Sequence, residues 1–156
     1  MPVQTAYANI DAAFEGLIAD MNPQEVVTKI AEGDVAFGRA VVRGTADDQA
    51  ILPSATGQAL VGVTAYTLGA YAHDTEDIYA DTEEMNVVRS GYVWVITEQA
   101  VVPGDSVFFR HTAGAGGTVI GAFRKDVDTA SADQIVGATY ETTSGAGELA
   151  LIRKPY

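Results

Sequence analysis

The spacing of apolar residues changes character along the chain. Near the start, Ile10, Phe14, Leu17 and Ile18 fall at i, i+4, i+7 and i+8, which is one face of a helix. Asp11 is placed to cap that helix, and Asn22-Pro23 to end it. Gly16 in its middle weakens it by about 1 kcal/mol relative to Ala. The same side chains also suit an extended arm that sets each one in a separate pocket. Residues 1–24 are therefore expected to be a terminal helix on the core, which the periodicity favours, or an arm packed on another chain.

Beyond residue 24 the pattern is that of short strands. Val26, Val27 and Ile30 precede the Gly33-Asp34 turn, and a long apolar run follows from Val35 to Arg43. Gly38 inside that run signals a bulge or a close backbone approach. Ile51-Leu52-Pro53 is a strand stopped by proline, and Ala59–Thr64 reads as a strand buried on both faces. Val87-Val88-Arg89 and Tyr92–Ile96 flank Ser90-Gly91, which predicts a tight hairpin. Val101–Asp105 is a turn in which Pro103 fixes φ and Gly104 supplies a positive one. Strands are expected at Ser106–Arg110, Val119–Arg124, Ile135–Tyr140 and Glu148–Arg153, with a glycine-rich loop at 113–117. Phe37, Tyr92, Trp94, Phe108, Phe109, Phe123 and Tyr140 sit mostly in strands and read as core or interface.

Short strands between turn signals predict an all-β fold: a small barrel or sandwich of antiparallel strands, with an N-terminal arm and an acidic loop. The division is an arm at 1–24 and one β domain at 25–156, with the loop at 73–86. No fixed-period repeat suggests a solenoid or propeller.

Charge sharpens this picture. The 156 residues carry 21 acids against 9 Lys and Arg, a net of −12. Residues 1–70 account for −5, 71–100 for −6 and 101–156 for −1. Half the net charge thus lies in thirty residues, around Asp74, Glu76, Asp77, Asp81, Glu83 and Glu84. Such self-repulsion predicts an exposed, solvated loop. The overall sign opposes binding to nucleic acid or an anionic membrane. No apolar stretch reaches the roughly 18 residues of a membrane helix, and no signal peptide is expected.

Candidate chemistry is sparse. The chain has no cysteine, which removes disulfides, thiolate metal sites and cysteine nucleophiles. Of the two histidines, His73 borders the acidic run, which makes it a poorer base, and His111 reads as a turn residue. Gly114–Thr118 lacks the spacing of a dinucleotide fingerprint, and no phosphate-binding lysine follows a glycine loop. Counted from Asp74, an EF-hand would place Ile78, Tyr79 and Met85 where ligands and glycine are required. Carboxylates on a solvated loop are also poorly placed for glycoside chemistry. No enzyme, cofactor or metal is expected.

The order of motifs resembles one known family. Phe37–Val42 (FGRAVV), Leu60–Thr64 (LVGVT), Val87–Val95 (VVRSGYVWV) and Val102–Phe109 (VPGDSVFF) succeed one another as in the structural cement, or capsid decoration, proteins of tailed bacteriophages. Gly121–Arg124, Ala138–Tyr140 and Leu149–Ile152 continue the resemblance, and Phe14–Asp20 is similar to the family's arm. The departure is the segment 73–86, longer and more charged than the family pattern.

The resemblance implies a virion protein, made in the host cytoplasm and carried on the outer surface of an icosahedral head. It implies that the protein braces the shell by bridging major capsid subunits, as a homotrimer or a dimer. Tyr7, Ile10, Phe14, Leu17, Ile18 and Met21 would then be interface anchors of the arm. The alternative is a β-barrel module that binds a glycan, calcium or a host-surface ligand.

Overall fold

The computed structural model describes residues 13–19, 22–67, 78–114 and 118–155. Among them are eleven strands and no helix: β1 (Glu25–Ala31), β2 (Val35–Ala36), β3 (Ala40–Arg43), β4 (Gln49–Ile51), β5 (Leu60–Thr64), β6 (Ile78–Tyr79), β7 (Glu84–Ile96), β8 (Ser106–Arg110), β9 (Phe123–Arg124), β10 (Ala132–Tyr140) and β11 (Leu149–Lys154). The all-β expectation holds.

The longest strand organises the rest. β7 has 13 residues, so it runs roughly 40 Å at the rise of an extended chain. Its first half pairs with β5 on one edge and β1 on the other. The order β1-β4-β3-β5-β7 therefore closes into a small barrel. Its second half, Gly91–Ile96, pairs with β11 and leads on through β10 and β8 to β9. That second sheet curls back: Phe123 of β9 bridges Thr97 just past the end of β7, and Glu98 N–H donates to the Phe123 carbonyl at 2.8 Å. Two curved sheets thus share one long strand.

Gly91 stands where β7 exchanges partners. The sequence suggested a hairpin at Ser90-Gly91, but one strand continues through it. Gly91 has φ +126°, and a Cβ there would lie 2.9 Å from Cβ of Gln24. The glycine serves a bend and a close approach, and no turn.

Burial follows from this sharing. Ala31, Val35, Phe37, Val41, Ala50, Tyr79, Met85 and Val87 fill the barrel. Val93, Val95, Val107, Phe109, Phe123, Tyr140, Ala150 and Ile152 belong to a second core, which Ala40, Val42 and Val63 also join. β3 sends Val41 to one core and its neighbours to the other, which is why a continuous apolar run was written there. Pro53 follows β4, and Gly104, at φ +92°, turns the chain into β8, as expected. Of the run Val119–Arg124 only Phe123 and Arg124 are strand, because Gly121 turns with φ +79°. Tyr92, Trp94 and Phe108 are half-buried, and the other four aromatics named from the sequence are buried.

Candidate functional site

The arm is the first candidate surface, and the described part of it is not helical. Residues 13–19 lie along the edge of β7 that β11 leaves open. Gly16 N–H donates to the Trp94 carbonyl at 2.8 Å, Trp94 N–H to Leu17 at 2.9 Å, and Ala19 N–H to Tyr92 at 3.0 Å. Ile18 forms an antiparallel bridge with Val93. Gly16 also accepts from Tyr66 N–H at 2.8 Å and has φ +77°. An open strand edge needs partners for its amides and carbonyls, and that demand overrides a helical periodicity interrupted by glycine.

Side chains reinforce the lacing. Phe14, 40% exposed, meets Tyr66 edge-on with ring centroids 4.2 Å apart. Phe37 continues the row, 5.2 Å from Tyr66 and 4.9 Å from Tyr79. Glu15 sits against Arg39, with Oε1 3.1 Å from Nη1, in an ion-pair contact without hydrogen-bond alignment. Burial pushes the Glu15 carboxyl up, while Arg39 and the Ile96 amide pull it back. A cleft of about 470 Å³ opens beside this root, walled by Phe14, Glu15, Phe37, Tyr66, Ile96 and Leu149. Leu17 and Ile18 are half-buried on their own domain. Tyr7, Ile10 and Met21, the other expected anchors, lie outside the described residues.

The acidic run divides in the same way. Asp74, Glu76 and Asp77 are outside the described residues. From Ile78 the expected loop is instead strand β6, a turn and the start of β7. Ile78 and Tyr79 pair with Val35-Ala36, and Tyr79 is buried, so apolar side chains draw this part out of solvent. Asp81 accepts Gly33 N–H at 2.7 Å, and its own N–H donates to Asp34 at 3.0 Å. Glu83 accepts Ala80 N–H at 2.9 Å, and Glu84 opens β7 opposite Ile30. Asp81 and Glu84 are exposed, and Glu83 is half-buried. These carboxylates fasten a turn.

An ion network was not legible in the sequence. Arg110 is 1% exposed and Arg124 6%. Glu98 receives Arg110 Nε at 2.7 Å and Nη2 at 2.8 Å, and Arg124 Nη1 at 3.0 Å. Asp128 takes Arg110 Nη2 at 2.6 Å and lies 2.8 Å from Arg124 Nη1. Asp126 takes Arg124 Nη2 at 2.6 Å and Gln99 at 2.7 Å. The Gln99 bond, then Arg124, hold Asp126 below the usual aspartate range. Glu98 raises the Arg110 guanidinium further above its ordinary value, against the effect of burial. The one sequence signal was an arginine closing each of two apolar strands.

His111 lies just past the end of β8, in the connection the sequence expects there, but it is 4% exposed, and its N–H donates to the Ser131 carbonyl at 3.0 Å. Its Nδ1 lies 2.8 Å from the Thr112 hydroxyl, and its Nε2 is 3.6 Å from Asp133. Asp133 in turn accepts the Thr56 hydroxyl at 2.8 Å and Gly57 N–H at 2.7 Å.

Every cluster so far is engaged in holding the fold. Among the described residues no three His, Asp or Glu side chains gather as metal ligands. What the described surface offers is an anchored arm root and exposed apolar side chains, Phe14, Val102, Val119 and Val127 among them, which suits contact with another protein.

Comparison with known proteins agrees with that character. No curated protein sequence matches the chain. A chain of the structure titled "The capsid of Myoviridae Phage XM1" shares the fold, with a TM-score of 0.77 at 13% identity, over 97% of this chain and 95% of that one. The family model described as "Structural cement protein (E217 gp24/Pam3 gp6)" matches residues 3–154. With nearly its whole length matched, and the order of its strand motifs accounted for, this chain belongs to the phage structural cement protein family, whose members stabilise the virion capsid.

Proposed function

We propose that the protein sits on the outer face of an icosahedral head and bridges neighbouring major capsid subunits as a homotrimer, without catalysing a reaction. The family match over residues 3–154 carries this reading. A binder repeated over a closed shell gains from multivalency, so each contact need be only modest. In this reading the arm has two parts. Residues 13–19 are the root, fixed to their own domain by hydrogen bonds to Tyr92, Trp94 and Tyr66. Tyr7 and Ile10 are the side chains that reach a neighbouring subunit. The exposed acids Asp81 and Glu84 face solvent.

Heads lacking the protein provide the test. Added recombinant protein binds them saturably and raises the temperature at which they release DNA. Light scattering of the free protein gives three times the chain mass. Replacing Tyr7 and Ile10 together by serine weakens binding while the melting temperature of the free protein is kept. Absence of binding by the unaltered protein overturns the assignment, and unchanged binding by the double variant overturns the role of the arm.

A further inference from the structure

One end of the barrel collects bases, although the chain carries only 9 Lys and Arg against 21 acids. Lys29, Arg43 and Arg89 wall one pocket of about 220 Å³, with Val27, Leu60 and Val61 as its apolar side. The strands bring them there for separate reasons. Val41 and Ala31 fill the barrel, and Arg43 and Lys29 stand two positions from them on β3 and β1, so they face the same way where the filling ends. Arg89 is the extra residue of β7 where its register with β1 shifts between Glu25 and Val26, and such a bulge re-aims a side chain. β1 pairs with β4 only at Ile30 and Ala31, so over Glu25–Lys29 the barrel lacks that ladder. Val27, Thr28 and Lys29 of this stretch line the pocket.

The three cations are incompletely matched. Lys29 Nζ donates to the Asp47 carbonyl at 2.7 Å, a neutral acceptor. Arg89 Nη1 lies 3.1 Å from Glu25 Oε1, with both side chains about half exposed. Among the described residues no carboxylate is in ion-pair contact with Lys29 or Arg43. Other acids on the same elements stand outside the wall. Glu32 takes the Thr45 N–H and the Thr45 hydroxyl, each at 2.7 Å. Asp47 and Asp48 are exposed on the turn after β3, and Glu84 lies opposite Ile30. Lys154 Nζ donates to the Arg89 carbonyl, which adds a fourth cation close by. The wall itself holds three positive charges and no carboxylate. Like charges gathered on an apolar wall repel, and an opposite charge between them removes that cost.

We propose that this pocket binds one small multivalent oxyanion, of the size and charge of phosphate or sulfate, between Lys29, Arg43 and Arg89. A guanidinium presents paired N–H donors that match two oxygens of such an ion, and an ammonium adds a point charge. The volume sets the upper limit. About 220 Å³ is less than the roughly 300 Å³ from which sites for drug-sized ligands begin. A nucleic-acid backbone is disfavoured, because Asp47, Asp48 and Glu84 are exposed on adjoining segments and repel a long polyanion. Bound in the pocket, the ion links β1, β3 and β7 where the ladder between β1 and β4 is missing. The site belongs to the free chain and does not depend on the capsid-binding role.

Thermal melts of the full chain at neutral pH provide the test, with sodium phosphate titrated against sodium chloride at equal ionic strength. An ion that binds only the folded chain raises the melting temperature by mass action, by roughly 5–10 °C at about a hundredfold excess over its dissociation constant. The rise levels off as the pocket fills. Phosphate also strengthens apolar burial in general, but that effect grows steadily and is common to all variants. Arg43→Gln is expected to lose the saturable part of the rise. In chloride alone it melts no lower than the parent, because a repelling charge is gone. Arg153→Gln is the control and keeps the saturable rise, since Arg153 is exposed on β11 and outside the pocket. Titration calorimetry of the parent gives one phosphate per chain, and any other stoichiometry overturns the single site. The absence of a saturable rise in the parent overturns the proposal. So does a rise that survives in Arg43→Gln, or one lost equally in Arg153→Gln, which would report total charge.

Discussion

Gly16 and Gly38 are packed backbone to backbone. A Cβ on Gly38 would lie 2.9 Å from the Gly16 nitrogen, and one on Gly16 would lie 3.0 Å from the Gly38 nitrogen. Both have positive φ, +77° and +66°. Gly38 N–H donates to Thr64 at 2.9 Å, and Gly16 accepts from Tyr66 N–H, so the two glycines let the arm root reach the end of β5. Gly38→Ala adds left-handed strain and a contact that backbone atoms cannot relieve. It is expected to cost about 2 kcal/mol or more. A urea titration of the variant against the parent measures this, and an unchanged midpoint would mean that the root does not pack against Gly38.

Arg110 illustrates a different source of sensitivity. Its guanidinium is 1% exposed and shared by Glu98 and Asp128. Arg110→Ala leaves two carboxylates with less compensation in a poorly solvated place, a change expected to cost about 3–5 kcal/mol. The same loss frees the left-handed turn at Asp128–Ala130, so those amides exchange faster with solvent than in the parent. Chemical denaturation supplies the first quantity and hydrogen exchange the second.

Such residues mark where sequence reading stops. The strands were legible because β3, β5 and β8 carry apolar residues between turn glycines and prolines, and such local signals survive folding. Gly38 was legible as a close approach for the same reason. Ser90-Gly91 was misleading, since the dipeptide that makes a hairpin also lets β7 bend between two sheets, and only long-range pairing distinguishes them. Phe14, Leu17 and Ile18 keep a helical spacing, yet the free edge of β7 takes them as an extended segment. Arg110 meets Glu98 and Asp128 12 and 18 positions away, and Arg124 shares Glu98 26 positions away; those separations no local pattern encodes, although Arg124 also meets its near neighbours Asp126 and Asp128.

The Asp126 carboxylate gives the ion network a pH signature. Its folded value is depressed below the ordinary 3.8, chiefly by Gln99 and then by Arg124. A depressed aspartate contributes stability that is fully present above its unfolded value and is lost as pH falls through the folded one. The parent should therefore exceed Asp126→Asn in stability at neutral pH by a margin that holds down to about pH 4 and closes below 3.8. Thermal melts of both proteins across pH 2–7 follow this margin, and a constant difference over the whole range would exclude an ionised Asp126 as its source.

Asp133 joins the two sheets through one side chain. From β10 it accepts the Thr56 hydroxyl at 2.8 Å and Gly57 N–H at 2.7 Å, both on the connection between β4 and β5 in the barrel. Its 3.6 Å approach to His111 Nε2 adds a longer contact at the end of β8. Asp133→Ala removes both close acceptor contacts at once. Because the loop is exposed, its donors turn to water, so the cost is expected near 1–2 kcal/mol. The local effect should be larger than the global one. Gly57 N–H loses the Asp133 carboxylate and should exchange with solvent at least tenfold faster, while the amides of β5 beyond it, bonded to β3 and β7, keep their protection. Residue-resolved hydrogen exchange separates these outcomes. Equal acceleration across β5 would show that Asp133 supports the whole sheet junction, and an unchanged Gly57 rate would show that the loop is held by other contacts.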